Sequence, residues 1–133
     1  MKIIADTNVL VRAVIGDDPE QARVARSTLT SAEQVILGRH ALCETVWVLS
    51  RRYKLSSDEI SRAILGLLNA ENVITDSGAI EAGLKAMEAG ADFADGVIAY
   101  EGRWLGGELF VSFDKKAVSA LEKQKLPAIL LGQ

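Results

Sequence analysis

Apolar residues recur along this chain with two periods, one of strands and one of helices, and the two alternate. A β-branched run at residues 2–5 stops at Asp6, after which Val9, Leu10, Ala13 and Val14 recur at helical spacing as far as Gly16. Asp17-Asp18-Pro19 has turn chemistry, with Pro19 suited to the first position of a helix that Ala22, Ala25, Arg26 and Leu29 carry towards Thr30. Residues 34–37 read as a second strand ended by Gly38. Over residues 40–53, Leu42, Val46, Leu49 and Tyr53 share one side of a long amphipathic helix whose end carries Arg51, Arg52 and Lys54. Ser56 and Glu59 have the spacing of a capping box for a helix reaching about residue 70, so these two helices form a hairpin.

The same alternation continues to the end. A short strand is expected at 73–75, then a helix capped by Asp76 that runs through Met87 and ends at Gly90. Residues 93–105 are again helical, 109–113 form a strand, 115–123 a helix, and 128–131 a last strand after Pro127. Strands alternating with helices need crossover connections, which predicts an α/β fold with a mainly parallel sheet covered on both faces. At 133 residues the expectation is a single domain over 1–133. In such folds the active site lies beyond the carboxyl ends of the strands, where Asp6 and Asp114 both fall.

Composition narrows the chemistry. Cys43 is the only cysteine, which rules out an internal disulfide and any zinc site built on several thiolates, and fits a reducing cytoplasm. No apolar run is long enough for a signal peptide or a bilayer span, so a cytoplasmic protein without a membrane partner is expected. The formal net charge of −3 provides no global basic field for nucleic acid. That objection weakens if carboxylates hold divalent ions, since −3 plus one such ion gives −1, and plus two gives +1.

Each acidic candidate has an ordinary explanation. Asp6, Asp92 and Asp114 each precede a helix and could be N-caps. Asp95 has Ala91, Asp92, Ile98 and Ala99 as its helical neighbours, which puts a carboxylate on an otherwise apolar face, where an unpaired charge costs several kcal/mol. It could still be a first-turn acid favoured by the helix dipole. Glu44 is interior to its helix, so capping does not explain it, and the plain reading is an exposed Glu opposite Arg51. Together, however, these carboxylates would repel one another unless a cation joined them. Oxygen ligands of this kind select Mg²⁺ or Mn²⁺ over zinc, and the chemistry they imply is phosphodiester hydrolysis, in which the metal generates hydroxide and neutralises phosphate charge.

Four segments resemble the PIN-domain ribonucleases, and especially the VapC-type toxins of bacterial toxin–antitoxin pairs. Ile3-Ile4-Ala5-Asp6-Thr7-Asn8-Val9-Leu10 is similar to the family's first strand and acidic residue; Leu42-Cys43-Glu44 with Val46-Trp47-Val48-Leu49 to its second acidic motif. Asp92-Phe93-Ala94-Asp95-Gly96-Val97-Ile98-Ala99 is similar to the third, and Phe110-Val111-Ser112-Phe113-Asp114 to the last strand. The resemblance implies a three-layer α/β/α sandwich and a metal-dependent endoribonuclease acting through Asp6, Glu44, Asp95 and Asp114. Asp92 is a fifth metal ligand in this reading, with the direct ligand among Asp92 and Asp95 left open. Asn8 and Ser112 match supporting positions. One departure is Gly96, where many relatives carry Ala, which should loosen the helix slightly.

RNA contact would need local positive charge, for which Arg12, Arg51 and Lys115, with Arg52 and Lys116, lie near the motifs. His40 could move protons near neutral pH or be structural. Trp47 and Trp104 sit in helical apolar patterns and are expected in the core or a dimer interface. The resemblance further implies a cognate antitoxin that covers the acidic cleft, and a homodimer. Other readings are an RNA-processing nuclease of the same fold without a toxin role, a catalytically silent binding module, and an α/β phosphatase, which would lack its second Asp where Asn8 stands.

Overall fold

A computed structural model describes residues 1–132, which divide into two compact units, 1–76 and 77 onward. The first contains β1 (Lys2–Ile4), α1 (Thr7–Ile15), α2 (Pro19–Ser31), β2 (Gln34–Leu37), α3 (Arg39–Arg51), α4 (Ser57–Leu68) and β3 (Val73–Thr75). The second contains α5 (Ser77–Glu88), α6 (Phe93–Trp104), β4 (Phe110–Ser112), α7 (Lys115–Lys123) and β5 (Ala128–Leu130). Every strand pairs in parallel, as helical crossovers require, and the fold is of the α/β class expected. The ladders form a three-stranded group, β1-β2-β3, and a two-stranded group, β4-β5.

In the first unit β2 is central, pairing Val35 with Ile3 and with Val73. Its alternate residues Val35 and Leu37 are fully buried, as are Leu10, Leu42, Leu49 and Ile64 on the helices of the same unit. The helix ends are set by local chemistry. Asp18 caps α2 by accepting from the Gln21 N–H, with Pro19 just inside, and Gly16 closes α1 in the left-handed conformation that only glycine adopts freely. The capping box of α4 is present, with the Glu59 N–H on Ser56 Oγ at 3.2 Å and the Ser56 N–H on Glu59 Oε1 at 2.9 Å. Thr45 is buried within α3, and its hydroxyl is satisfied by the Ala41 carbonyl at 2.7 Å. Asp76, expected as a cap, forms an ion pair with Arg39 at 3.3 Å.

The second unit is built on a helical hairpin and a β-α-β crossover. Helices α5 and α6 approach unusually closely because small residues line their seam. A Cβ on Gly96 would lie 2.2 Å from the Ala82 carbonyl oxygen, and one on Gly83 would lie 2.6 Å from the buried Phe93 ring. The expected slight loosening at Gly96 is therefore the lesser effect. The glycine is what lets the two backbones meet. Ala117, Val118, Ala120 and Leu121 form the buried stripe of α7, which connects β4 to β5.

Of the two places expected for the tryptophans, the core is corrected: Trp47 is 58% exposed and Trp104 74% exposed, so neither is a core residue. Their positions fit the helical apolar pattern, but the buried arcs of α3 and α6 are already filled by Leu42, Val46 and Leu49, and by Phe93, Val97 and Ala99. No helix among the described residues is long and apolar enough to cross a membrane.

Candidate active site

Asp6 ends the extended segment after β1 and is the N-cap of α1. Its Oδ1 accepts from the N–H of Thr7 at 2.8 Å, the adjacent residue, whereas a standard cap bonds an N–H two or three positions on. The Thr7 hydroxyl in turn donates to Glu44 Oε1 at 3.0 Å, joining the start of α1 to the middle of α3. His40, one helical turn before Glu44, approaches the same oxygen at 3.4 Å. Glu44 is exposed, as its plain reading had it, but its partners are Thr7 and His40 rather than Arg51. Asp6 and Glu44, the two candidate carboxylates of the first unit, are both bonded by one threonine.

Thr7 was not singled out by its sequence position. The signal was available in the Asp6-Thr7-Asn8 triplet, because a hydroxyl at the first position of a helix beside an acid can bridge to a neighbouring element. Asn8, the residue chosen instead, is exposed at the second position of α1. The His40–Glu44 pair could have been found from its four-residue spacing.

The second unit gathers Asp92, Asp95 and Asp114. Asp92 caps α6, and its N–H donates to Asp95 Oδ2 at 3.2 Å, the return bond of a capping box. Asp95 is half-buried while Asp92 is exposed. Burial pushes the Asp95 carboxyl above its ordinary range; the bond from Asp92 opposes this, and the negative charges of Asp92 and Asp114 add to it. Asp114 caps α7, with Oδ1 accepting from Lys116 N–H at 2.9 Å and Ala117 N–H at 3.2 Å. Ser112 Oγ accepts the Asp114 N–H at 2.9 Å and so fixes the turn between β4 and α7. The capping explanations for Asp92, Asp95 and Asp114 hold, yet they use only part of each site's capacity. In each of Asp6, Glu44, Asp95 and Asp114, one carboxylate oxygen takes the orienting hydrogen bonds, and the other has no such partner among the described residues.

The donor chemistry suits a hard divalent ion, since all the donors are carboxylate oxygens and Asp95 stands in a field of like charge that a cation would relieve. Among the described residues no group of three or more His, Cys, Asp or Glu side chains is arranged to hold a metal ion. A Mg²⁺ site requires no such cage, because one or two carboxylates with waters and substrate phosphates commonly suffice.

The basic candidates divide. Arg12 is engaged with Asp17 at 2.9 Å, and Tyr53 donates to the same carboxylate at 3.1 Å. Burial works against the ionised form of Asp17, but the bonds from Tyr53 and Arg12 outweigh it and hold the carboxyl below its ordinary range. Arg51, Arg52, Lys115 and Lys116 are exposed. Among curated proteins none matches the chain. A family model described as PIN domain matches residues 3–123.

Proposed function

The chain belongs to the PIN-domain family, whose members are generally nucleases and typically use divalent metals, and we propose that it is a Mg²⁺- or Mn²⁺-dependent endoribonuclease. In this reading, which the motif resemblance supports, the metal ligands are drawn from Asp6 and Glu44 of the first unit and from Asp95, Asp114 and Asp92 of the second, with waters and substrate phosphate completing the shell. A bound divalent ion would supply Lewis acidity and charge neutralisation at the phosphate. The chain's own residues would do the rest. The Thr7 hydroxyl holds Glu44 Oε1 and leaves the other oxygen without a hydrogen-bond partner among the described residues. Lys116 and Ala117 N–H groups do the same for Asp114, and the Asp92 N–H for Asp95. His40 lies beside Glu44, with Nε2 3.4 Å from Oε1, where it could relay a proton.

The observation that carries this reading is the repeated half-occupied carboxylate, four times at positions matching the family's motifs. Simple capping would leave no reason for Glu44, in mid-helix, to share the pattern. Arg51 and Lys115 would meet RNA phosphates; Arg12 would first have to leave Asp17. We further propose that the protein is the toxin of a VapBC-type pair, cytoplasmic, homodimeric and inhibited by a cognate antitoxin; the motif resemblance supports this. Calorimetric titration with Mn²⁺ tests the site. Binding by the wild type and its loss in Asp6→Asn and in Asp114→Asn is expected; unchanged binding in both variants would sink the ligand assignment. Co-purification of a small partner encoded alongside tests the toxin role, and cleavage without any such partner would favour an RNA-processing nuclease.

A further inference from the structure

Along the exposed side of α7 the second unit has a broad groove of about 1010 Å³, bounded by α7, Gly90 and β5. Lys115, Lys116 and Lys123 line it with Ser119 on the same face, against a single acid, Glu122. Three ammonium groups against one carboxylate make the groove locally positive in a chain whose net charge is −3. None of the three lysines is in an ion pair among the described residues. Only Lys123 makes a bond, a long one of 3.5 Å to the Ala89 carbonyl that leaves the rest of its ammonium to the groove. The groove starts at Lys115, the residue after the α7 N-cap Asp114, and the nine residues from Lys115 to Lys123 carry it about 12 Å along the helix. Its floor, at Ala128 to Leu130, is aliphatic and has no aromatic ring on which a base could stack.

We infer that this face of α7 is a sequence-neutral track for the phosphate backbone of single-stranded RNA, leading a few nucleotides of the strand away from Asp114 by way of Lys116, Ser119 and Lys123. The inference rests on the nuclease reading for its choice of polyanion, because the groove begins at Lys115, which adjoins a residue assigned to phosphodiester chemistry. With no stacking platform, affinity comes from counterion release rather than base contacts, so it depends on salt and not on base identity.

The test measures binding separately from cleavage. Anisotropy of a fluorescein-labelled oligouridylate of about 12 nucleotides is followed in EDTA over a range of salt concentrations. The wild type is compared with the Lys116→Gln/Lys123→Gln double variant and with Arg23→Gln, a charge removal on α2 in the other unit. The double variant should lower the slope of log K against log salt by about 1.4, at about 0.7 per lysine, with Arg23→Gln unchanged. An equal slope in wild type and double variant overturns the track, as does preferential binding of polyglutamate over RNA. A slope change in a protein that cuts no RNA supports the track while removing the nuclease reading. Cleavage by the double variant with wild-type KM overturns the track and leaves the nuclease reading intact.

Discussion

Replacing Gly96 by Ala should destabilise the protein, although helix propensity alone predicts the reverse. Gly96 lies inside α6, where Ala is favoured over Gly by about 1 kcal/mol. Its added Cβ, however, would stand 2.2 Å from the Ala82 carbonyl oxygen and 2.8 Å from the Ala86 Cβ on α5. The first obstacle is backbone, which has no rotamer to turn away. Restoring an ordinary contact would part the helices by about 1 Å, enough to forfeit a quarter to a half of the dispersion energy of the facing atoms. Overpacking costs about 1–3 kcal/mol, and a backbone obstacle puts this case at the upper end. Subtracting the propensity gain leaves a loss of about 2 kcal/mol, or about 8 °C in Tm at roughly 4 °C per kcal/mol for a chain of this size. Gly102, on the same helix, is the control, because its Cβ would meet nothing within 4 Å. Gly102→Ala should raise Tm by up to about 4 °C. Thermal unfolding by circular dichroism reads both. If Gly96→Ala raises Tm as Gly102→Ala does, the close α5–α6 approach is not what holds glycine at that position. Because Gly96 adjoins Asp95, the same variant should also lose activity out of proportion to its stability.

Thr7→Val keeps the shape of the side chain and removes the bond to Glu44; kcat should fall about 10- to 100-fold with KM nearly unchanged, and an unaltered kcat would show that Glu44 needs no such support. Asp95, whose folded carboxyl titrates above its unfolded value, contributes stability that is present below the unfolded pKa and lost as pH rises through the folded one. Without metal, the Tm of wild type relative to Asp95→Asn should therefore decline from the carboxylate range towards neutrality, and Mn²⁺ should remove the decline; a difference independent of pH would contradict the assignment. Asp17 has the opposite sign, its contribution being present above the unfolded pKa and lost as pH falls through the lowered folded value. Carbon-detected NMR titration should show its pKa rising in Tyr53→Phe, and no change would mean that the 3.1 Å bond does not hold in solution.

Most element boundaries could be read from the sequence because their causes are local. Gly16, Asp18-Pro19 and the Ser56–Glu59 box each act within one turn of the chain, and each was found where its chemistry placed it. The features that could not be read depend on which surfaces meet. Trp47 and Trp104 fit the apolar period of their helices, but periodicity does not say which arc of a helix acquires a neighbour. Gly96 looked like a weak spot in a helix until Ala82 was found against it. The grouping of five strands as three and two depends on register between distant segments. At the candidate site the local sequence offered Asp6, Asp92 and Asp114 as helix caps, and they stand at those positions. Missing were the groups that aim them, Thr7 above all, because a bond from α1 to α3 spans 37 positions of sequence.

The central claim, cleavage of RNA by metal held on oriented carboxylates, is tested most directly by incubating labelled structured RNA with the purified protein in Mg²⁺, Mn²⁺ or EDTA. Folding-matched Glu44→Gln and Asp95→Asn variants are run beside it. Cleavage by the wild type only with metal, lost in both variants, is the predicted result. Cleavage that persists in EDTA or in the variants would contradict the account, as would a wild type free of any partner that cleaves none of the transfer, messenger and ribosomal RNA offered.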